Sequence, residues 1–296
     1  MLPTPEPGSE HYPRHKPPRR RLRGRACLNE IDLQNVNEVT PTLPVAPYIG
    51  GKRNLAKTII KRIDQIPHAT YAEPFVGMGG VFLRRTRQPK AEVINDYSRD
   101  VTTFFRILQR HYAAFMEMMR FQITSRKEFE RLVMTDPATL TDLERAARFL
   151  YLQRTAFGGK VSGKNFGVAV GYPGRFDINK LGPMLDDLHS RLSGVVIECM
   201  SYEQFIPKYD RQDTLFYLDP PYYGCESDYG KDVFHRNDFE CLAEILGGIK
   251  GRFILSLNDL PEVRSIFSGF DIETVETTYT IAKGGSKKVG EVIISN

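Results

Sequence analysis

The sequence predicts an α/β protein: a doubly wound sheet interrupted by a helical insertion. Three observations carry that expectation. The apolar run Thr214-Leu215-Phe216-Tyr217-Leu218 has the length and composition of a buried central strand. A strand-like segment, Thr70 to Phe75, enters the glycine-rich turn Phe75-Val76-Gly77-Met78-Gly79-Gly80, and Val81 to Arg85 starts a helix. Strand, turn and helix in that order form the cofactor-binding half-unit of such a sheet. Between the two halves, Val101 to Leu192 reads as helices plus one Gly/Lys loop.

Taken in order, residues 1–40 are rich in Pro and Arg, lack periodicity and are expected to be a disordered basic tail. Order begins near Pro47-Tyr48-Ile49-Gly50-Gly51-Lys52, and Asn54 to Ile66 places Leu55, Ile59, Ile63 and Ile66 at helical spacing. The glycine turn does not follow the dinucleotide fingerprint, because Phe82 stands where the third glycine belongs. That weakens a nicotinamide or flavin reading and leaves open a turn used only for packing. The next strand, Glu92-Val93-Ile94-Asn95, ends at Asp96, where sheets of this class hold ribose hydroxyls, though an acid there can also cap a helix.

In the insertion, Ser125-Arg126-Lys127-Glu128 and Thr141-Asp142-Leu143-Glu144 are capping-box patterns. The second opens a helix with Leu143, Ala146, Ala147 and Leu150 on one face. Phe157 to Gly167 follows as a basic, aromatic-bordered loop suited to a phosphate backbone, or simply a long hairpin tip. Strand candidates resume at Val195–Cys199, Thr214–Leu218, Phe253–Leu257, Phe270–Val275 and Val289–Ser295, with helices at Phe239–Leu246 and Pro261–Phe267. The resulting division is a tail (1–40), a catalytic domain in two pieces (41–104 and 196–296) and an insertion with a basic hairpin (105–195).

Asp219-Pro220-Pro221-Tyr222 follows the central strand, at the carboxyl end where open α/β sheets bind ligands. Two prolines remove two backbone donors and leave carbonyl acceptors on a rigid turn. A carboxylate, the Pro220 carbonyl and an exposed ring suit a flat, weakly nucleophilic amine. An ordinary Asp-Pro turn is the plainer alternative for four residues alone.

Charge narrows the partner. The net charge of +5 is already present in residues 1–26, where seven basic residues face Glu6 and Glu10. The rest of the chain is balanced, yet residues 102–175 carry twelve basic and six acidic side chains. One lobe is thus suited to a polyanion. No apolar run approaches membrane-spanning length and the start has no secretory h-region. Cys27, Cys199, Cys225 and Cys241 lack metal-ligand spacing, which points to reduced thiols, no metal and a cytoplasmic location.

Together, Pro47 to Lys52, Ala72-Glu73-Pro74-Phe75-Val76-Gly77-Met78-Gly79, Asn95-Asp96 and Asp219 to Tyr222 resemble the adenine-specific DNA methyltransferases of the Dam type, the D12 class with its phage and prophage members. The resemblance runs from about Pro44 to the end of the chain. It implies a Rossmann-like methyltransferase sheet, S-adenosylmethionine (AdoMet) as donor and N6 of a flipped adenine in double-stranded DNA as acceptor. It places Tyr48 and Lys52 at the cofactor's amino-acid end and Glu73, Phe75, Gly77 and Gly79 around it. Asp96 falls on the ribose and Tyr202 beside the adenine. The catalytic set is Asp219, Pro220, Pro221 and Tyr222. Ser201 stands where relatives often carry Asp, which leaves the adenine amino contact unassigned, with Glu203 a weak substitute. Gly158-Gly159-Lys160 and Asn165-Phe166-Gly167 depart from the best-known members, so a GATC target does not follow. Lys160, Lys164 and Arg175 are the expected DNA contacts, to phosphate rather than to bases. A cognate restriction endonuclease is left open, as is the oligomeric state. The rivals are a methyltransferase of RNA or of a protein amide, an inactive DNA-binding relative and, more distantly, a nicotinamide oxidoreductase.

Overall fold

A computed structural model describes residues 37–168, 171–230, 233–281 and 285–296, apart from the side chains of residues 227, 276–281 and 285–289. Of the expected disordered tail, residues 1–36 lie outside the described residues; residues 37–40 are instead ordered, with Asn37–Glu38 paired as a strand and Val39 N–H bonded to Thr86 O.

The chain enters through a short strand, Asn37–Glu38 (β1), and a helix, Ala56–Ile63 (α1), that buries Ala56, Ile59 and Ile63 and stops short of Pro67. Thr70–Glu73 (β2) then leads into the glycine turn. The expected helix after the turn is only a 3-10 turn, Phe82–Arg84, with Arg85 already extended. The buried Arg85 guanidinium explains the early exit: it stacks 3.8 Å over the Tyr71 ring and bonds Glu92 at 2.7 Å. From there Arg87–Gln88 (β3) pairs antiparallel with β1, and Ala91–Asn95 (β4) joins the main sheet.

Arg99–Met119 (α2) spans the expected boundary at residues 104/105 and breaks its helical backbone at His111. Its first half packs under the sheet and its second half enters the insertion. Arg126–Met134 (α3) is capped by Ser125, whose hydroxyl accepts from Glu128 N–H, while the Glu128 carboxylate turns to Arg131 instead of closing a box. Asp142–Thr155 (α4) has the complete Thr141/Glu144 capping box. Ile178–Arg191 (α5) returns to the sheet.

Val196–Glu198 (β5), Tyr202–Tyr209 (α6), Thr214–Leu218 (β6), Asp238–Gly247 (α7), Arg252–Asn258 (β7) and Pro261–Ile266 (α8) complete the alternating part. Asp271–Ile281 (β8) and Gly285–Ser295 (β9) close it. Helix α6 was not among the expected elements; it carries Pro207 internally. The strands β8 and β9 run longer than expected, pairing from Asp271↔Ser295 to Ile281↔Gly285, well beyond the five residues that β9 pairs with β7. Most of those extra residues are polar (Glu276, Thr277, Thr278, Thr280, Ser286, Lys287 and Lys288), so they give little of the apolar alternation from which strands are read.

The sheet order is β5-β4-β2-β6-β7-β9-β8, parallel from β5 through β7 and antiparallel at β9 and β8. Alternate residues of β6 enter two cores. Leu215 and Tyr217 pack with α1, α2, α4 and α5 on one face, and Phe216 and Leu218 pack with α6, α7 and α8 on the other. Coverage on both faces is what a parallel strand requires, and β6 is buried throughout.

Candidate active site

Strands β2 and β6 are neighbours, but the chain leaves them in opposite directions across the sheet, β2 toward β4 and β5, β6 toward β7. Their carboxyl ends therefore form a topological switch point, where a crevice opens. A cavity of about 1140 Å³ lies there, lined by Tyr48, Lys52, Glu73, Phe75, Gly77, Asp96, Tyr202, Asp219 and Pro221 among others. Pro220 and Tyr222 continue the turn from Asp219 beside the lining residue Pro221, and Gly79 lies between the lining residues Met78 and Gly80.

Lys52 is the hub of the catalytic turn. Its buried ammonium lies 2.8 Å from Asp219 Oδ1 and 3.6 Å from Glu291 Oε2, and donates to the Tyr222 hydroxyl at 2.6 Å. The resemblance put Lys52 at a cofactor's amino-acid end; in the structure it lines the cavity and also bonds Asp219 and Tyr222. Ser256 Oγ donates to Asp219 Oδ1 at 3.4 Å and lies 3.0 Å from the Tyr217 hydroxyl, so β7 and β6 brace the same carboxylate. Burial pushes the Asp219 carboxyl up to about 6, although the Lys52 charge opposes the shift.

On the other side of the switch point the polar groups are stitched strand to strand. Asn95 donates through Nδ2 to the carbonyls of Pro74 and Met200, and its Oδ1 accepts from Met200 N–H. The ends of β2, β4 and β5 are thus held together. Asp96 accepts from Gly77 N–H at 2.9 Å and from Ser98 N–H at 2.8 Å, one bond per oxygen. Each oxygen keeps a lone pair for a ligand hydroxyl. Gly77 is required because its φ is +50° and a Cβ there would come 3.1 Å from the Tyr48 ring. Glu73 is buried with the Tyr71 hydroxyl donating to it at 2.7 Å. Burial pushes its carboxyl up to about 8; the Tyr71 bond offsets this in part, and nearby Asp219 adds to it. A buried acid in that state suits a cationic ligand. Phe75, Tyr202 and Phe234, which also line the cavity, form an aromatic corner with ring centroids 5.8 to 6.0 Å apart.

The insertion meets this site through the loop after α4. Ala156 and Phe166 form an antiparallel bridge, so Phe157 to Asn165 make a hairpin-like tip. Lys160 is exposed on it. Lys164 turns inward, 6.0 Å from the Phe149 ring, and burial pulls its ammonium down to about 8. Arg175 donates to the Ala156 carbonyl and lies over the Phe157 ring, bracing the hairpin base. Of the three expected DNA contacts, Lys160 alone is fully presented to solvent. Gln153 was not singled out in the sequence, yet its buried amide donates to the carbonyls of Pro47 and Gly159. It ties the hairpin base to the segment carrying Tyr48 and Lys52. Glu291 and Asp238 were missed as well, since both come from strands or helices far along the chain with no motif around them.

Among the described residues, no group of three or more His, Cys, Asp or Glu side chains is placed to hold a metal ion. No described helix is long and apolar enough to cross a membrane.

A family model described as D12 class N6 adenine-specific DNA methyltransferase matches residues 48–281. The chain is 24% identical over 255 residues to the type II methyltransferase M.CviBI of Paramecium bursaria Chlorella virus NC1A, covering 84% of this chain and 95% of that protein. It is 27% identical over 274 residues to the type II methyltransferase M1.LlaDCHI of Lactococcus lactis subsp. cremoris, covering 86% and 95%. It also matches a DNA N-6-adenine-methyltransferase of Escherichia phage P1 at 25% identity, over 83% of this chain and 34% of that one.

Proposed function

The chain belongs to the D12 class of N6 adenine-specific DNA methyltransferases, and from that premise we propose how its own residues carry out the reaction. The activity is AdoMet-dependent methylation of adenine N6 in DNA. One observation carries the assignment of roles. A carboxylate fixed by a buried lysine (Asp219 with Lys52) opens into the same cavity as the glycine turn and Asp96 on the neighbouring strands.

Bound AdoMet supplies a methyl group on a positively charged sulfur. Asp96 holds the ribose hydroxyls, Phe75 and Tyr202 border the adenine, and Tyr48 closes over Gly77. Buried Glu73 faces the cationic part of the ligand. The acceptor amine is a poor nucleophile because its lone pair is conjugated into the purine. Asp219 and the Pro220 carbonyl accept its two N–H bonds and stabilise the positive charge that grows on nitrogen, a preorganised electrostatic effect. Lys52 keeps the Asp219 carboxylate and the Tyr222 hydroxyl in place for that contact. A base inside a duplex cannot reach this cavity, so the target nucleotide flips out and stacks on Tyr222. Residues 105–195 act as the recognition lobe and the two flanking segments as the catalytic domain. The type II relatives support a cognate endonuclease as partner, and the cytoplasm, where the DNA lies, as the place of action.

Long-read sequencing of DNA from a methylation-deficient host expressing the protein tests the reading. The expected result is N6-methyladenine confined to one short motif. Modified cytosine, or methyl incorporation into RNA but not DNA, overturns it.

Two further outcomes follow from the site. Cofactor binding should release close to one proton at neutral pH, because Glu73 is protonated in the free protein and a bound cation favours its ionised form. Affinity then rises as pH climbs toward 8. Calorimetry in buffers of differing ionisation enthalpy measures the release, and Glu73→Gln should abolish it. Lys160→Ala should weaken target and non-target duplexes alike, and make the slope of log affinity against log salt shallower by about 0.9. A change in the methylated motif instead would mean that Lys160 reads bases.

A further inference from the structure

We propose that Asp238 is the residue by which the protein recognises the exocyclic amino group of its cofactor's adenine. The inference rests on the cofactor cleft proposed above and adds to it a specificity residue from a different part of the chain. A purine held among the rings of Phe75, Tyr202 and Phe234 has a donor edge that needs an acceptor once water is excluded. Among the described residues, five carboxylates line the cavity: Glu73, Asp96, Glu203, Asp219 and Asp238. Glu73 and Asp219 sit at the ends of β2 and β6, and Asp96 clamps the glycine turn, all on the strand side of the cleft.

Of these five, Glu203 and Asp238 remain for the aromatic corner. Glu203 is exposed on the first turn of α6. Asp238 is fixed from two directions. Its Oδ1 accepts from the Tyr202 hydroxyl at 3.1 Å and its Oδ2 accepts from His235 N–H at 2.5 Å. It is therefore bonded directly to one of the three rings, and Phe239 beside it packs on Phe234 at 5.0 Å. Each oxygen retains acceptor capacity after those bonds. The Asp238 carboxylate, in the first turn of α7, offers acceptors only. Ser201, at the start of α6, offers a hydroxyl rather than a charge and leaves the task to a neighbour.

The test compares two product-like ligands, S-adenosylhomocysteine and S-inosylhomocysteine, by calorimetry. They differ only at the purine edge, where the inosyl ligand carries a carbonyl in place of the amino group and a protonated N1. The wild-type protein should prefer the adenosyl ligand by about tenfold or more, the scale of a hydrogen bond to a charged group. Asp238→Asn should remove that preference or reverse it, since an amide can donate to the inosyl carbonyl. Glu203→Gln should leave the ratio as in wild type. Using the ratio within one variant cancels any general damage to α7, because a merely structural role for Asp238 weakens both ligands equally. A ratio unchanged in Asp238→Asn overturns the proposal. So does a ratio that collapses in Glu203→Gln instead. Failure of the wild-type protein to bind either ligand removes the cofactor cleft itself, and the proposal with it.

Discussion

Asp219→Ala should lower methyl transfer by about a hundredfold or more, the usual scale for a preorganised group that stabilises transition-state charge, while cofactor affinity stays nearly unchanged. The reason is positional. Asp219 ends β6 and faces the acceptor side, whereas Asp96 and the glycine turn end β4 and β2 and face the donor side. The substitution also leaves Lys52 near Glu291 at 3.6 Å, so the buried ammonium keeps a counter-charge and the fold should survive. Calorimetry with AdoMet, beside methylation of mixed-sequence duplex DNA, separates the two effects. Retention of more than about a tenth of the rate would remove Asp219 from the role. The same residue sets an acid limit in the unmodified protein. With its carboxyl raised to about 6, Asp219 is ionised and accepting above that pH. Below it the group is protonated, and single-turnover methylation should fall as pH drops.

Glu92→Ala should cost about 3–5 kcal/mol of stability, the range for breaking a buried ion pair on one side. Glu92 is fully buried on β4 and accepts from Arg85 at 2.7 Å, from Arg191 at 2.7 and 2.8 Å and from Gln88 at 3.0 Å. Arg85 Nε and Nη2 and Arg191 Nε already lack hydrogen-bond partners, so losing the carboxylate would strand two guanidiniums in the interior. Since Arg191 ends α5, the cluster also fastens the insertion to the sheet. Urea denaturation measures the loss. Replacing all three charges together, as Glu92→Leu with Arg85→Met and Arg191→Leu, should recover most of it, because the desolvation cost then disappears with the pair. A loss under about 1 kcal/mol for Glu92→Ala would mean that both guanidiniums reach water.

The elements that could be read from the sequence share one property: their signal is local. The central strand β6 appears at its expected bounds because four consecutive apolar residues after Thr214 suit a strand covered on both faces. The α4 capping box likewise lies within four residues, Thr141 to Glu144. The readings that changed depend on distant partners. Arg85 leaves its helix because Glu92 and Tyr71 hold it from other strands, and α6 forms despite Pro207 because Phe205 and Ile206 have a core to enter.

The same division runs through the site. The sequence by itself determined the family, the order of the motifs and the two strand ends at which they lie, since each motif is a short run whose chemistry is built into neighbouring residues. Only the tertiary structure decided which side chains complete them. It brought Lys52 to Asp219 across 167 positions of sequence, Glu291 to Lys52 from the last strand, and Asp238 to Tyr202 from α7. It also turned Lys164 and Arg175 toward the protein and left Lys160 facing outward. A lone acid or base carries no local pattern. Its partner is set by which strand ends the sheet order makes adjacent, and by the cost of burying a charge without one.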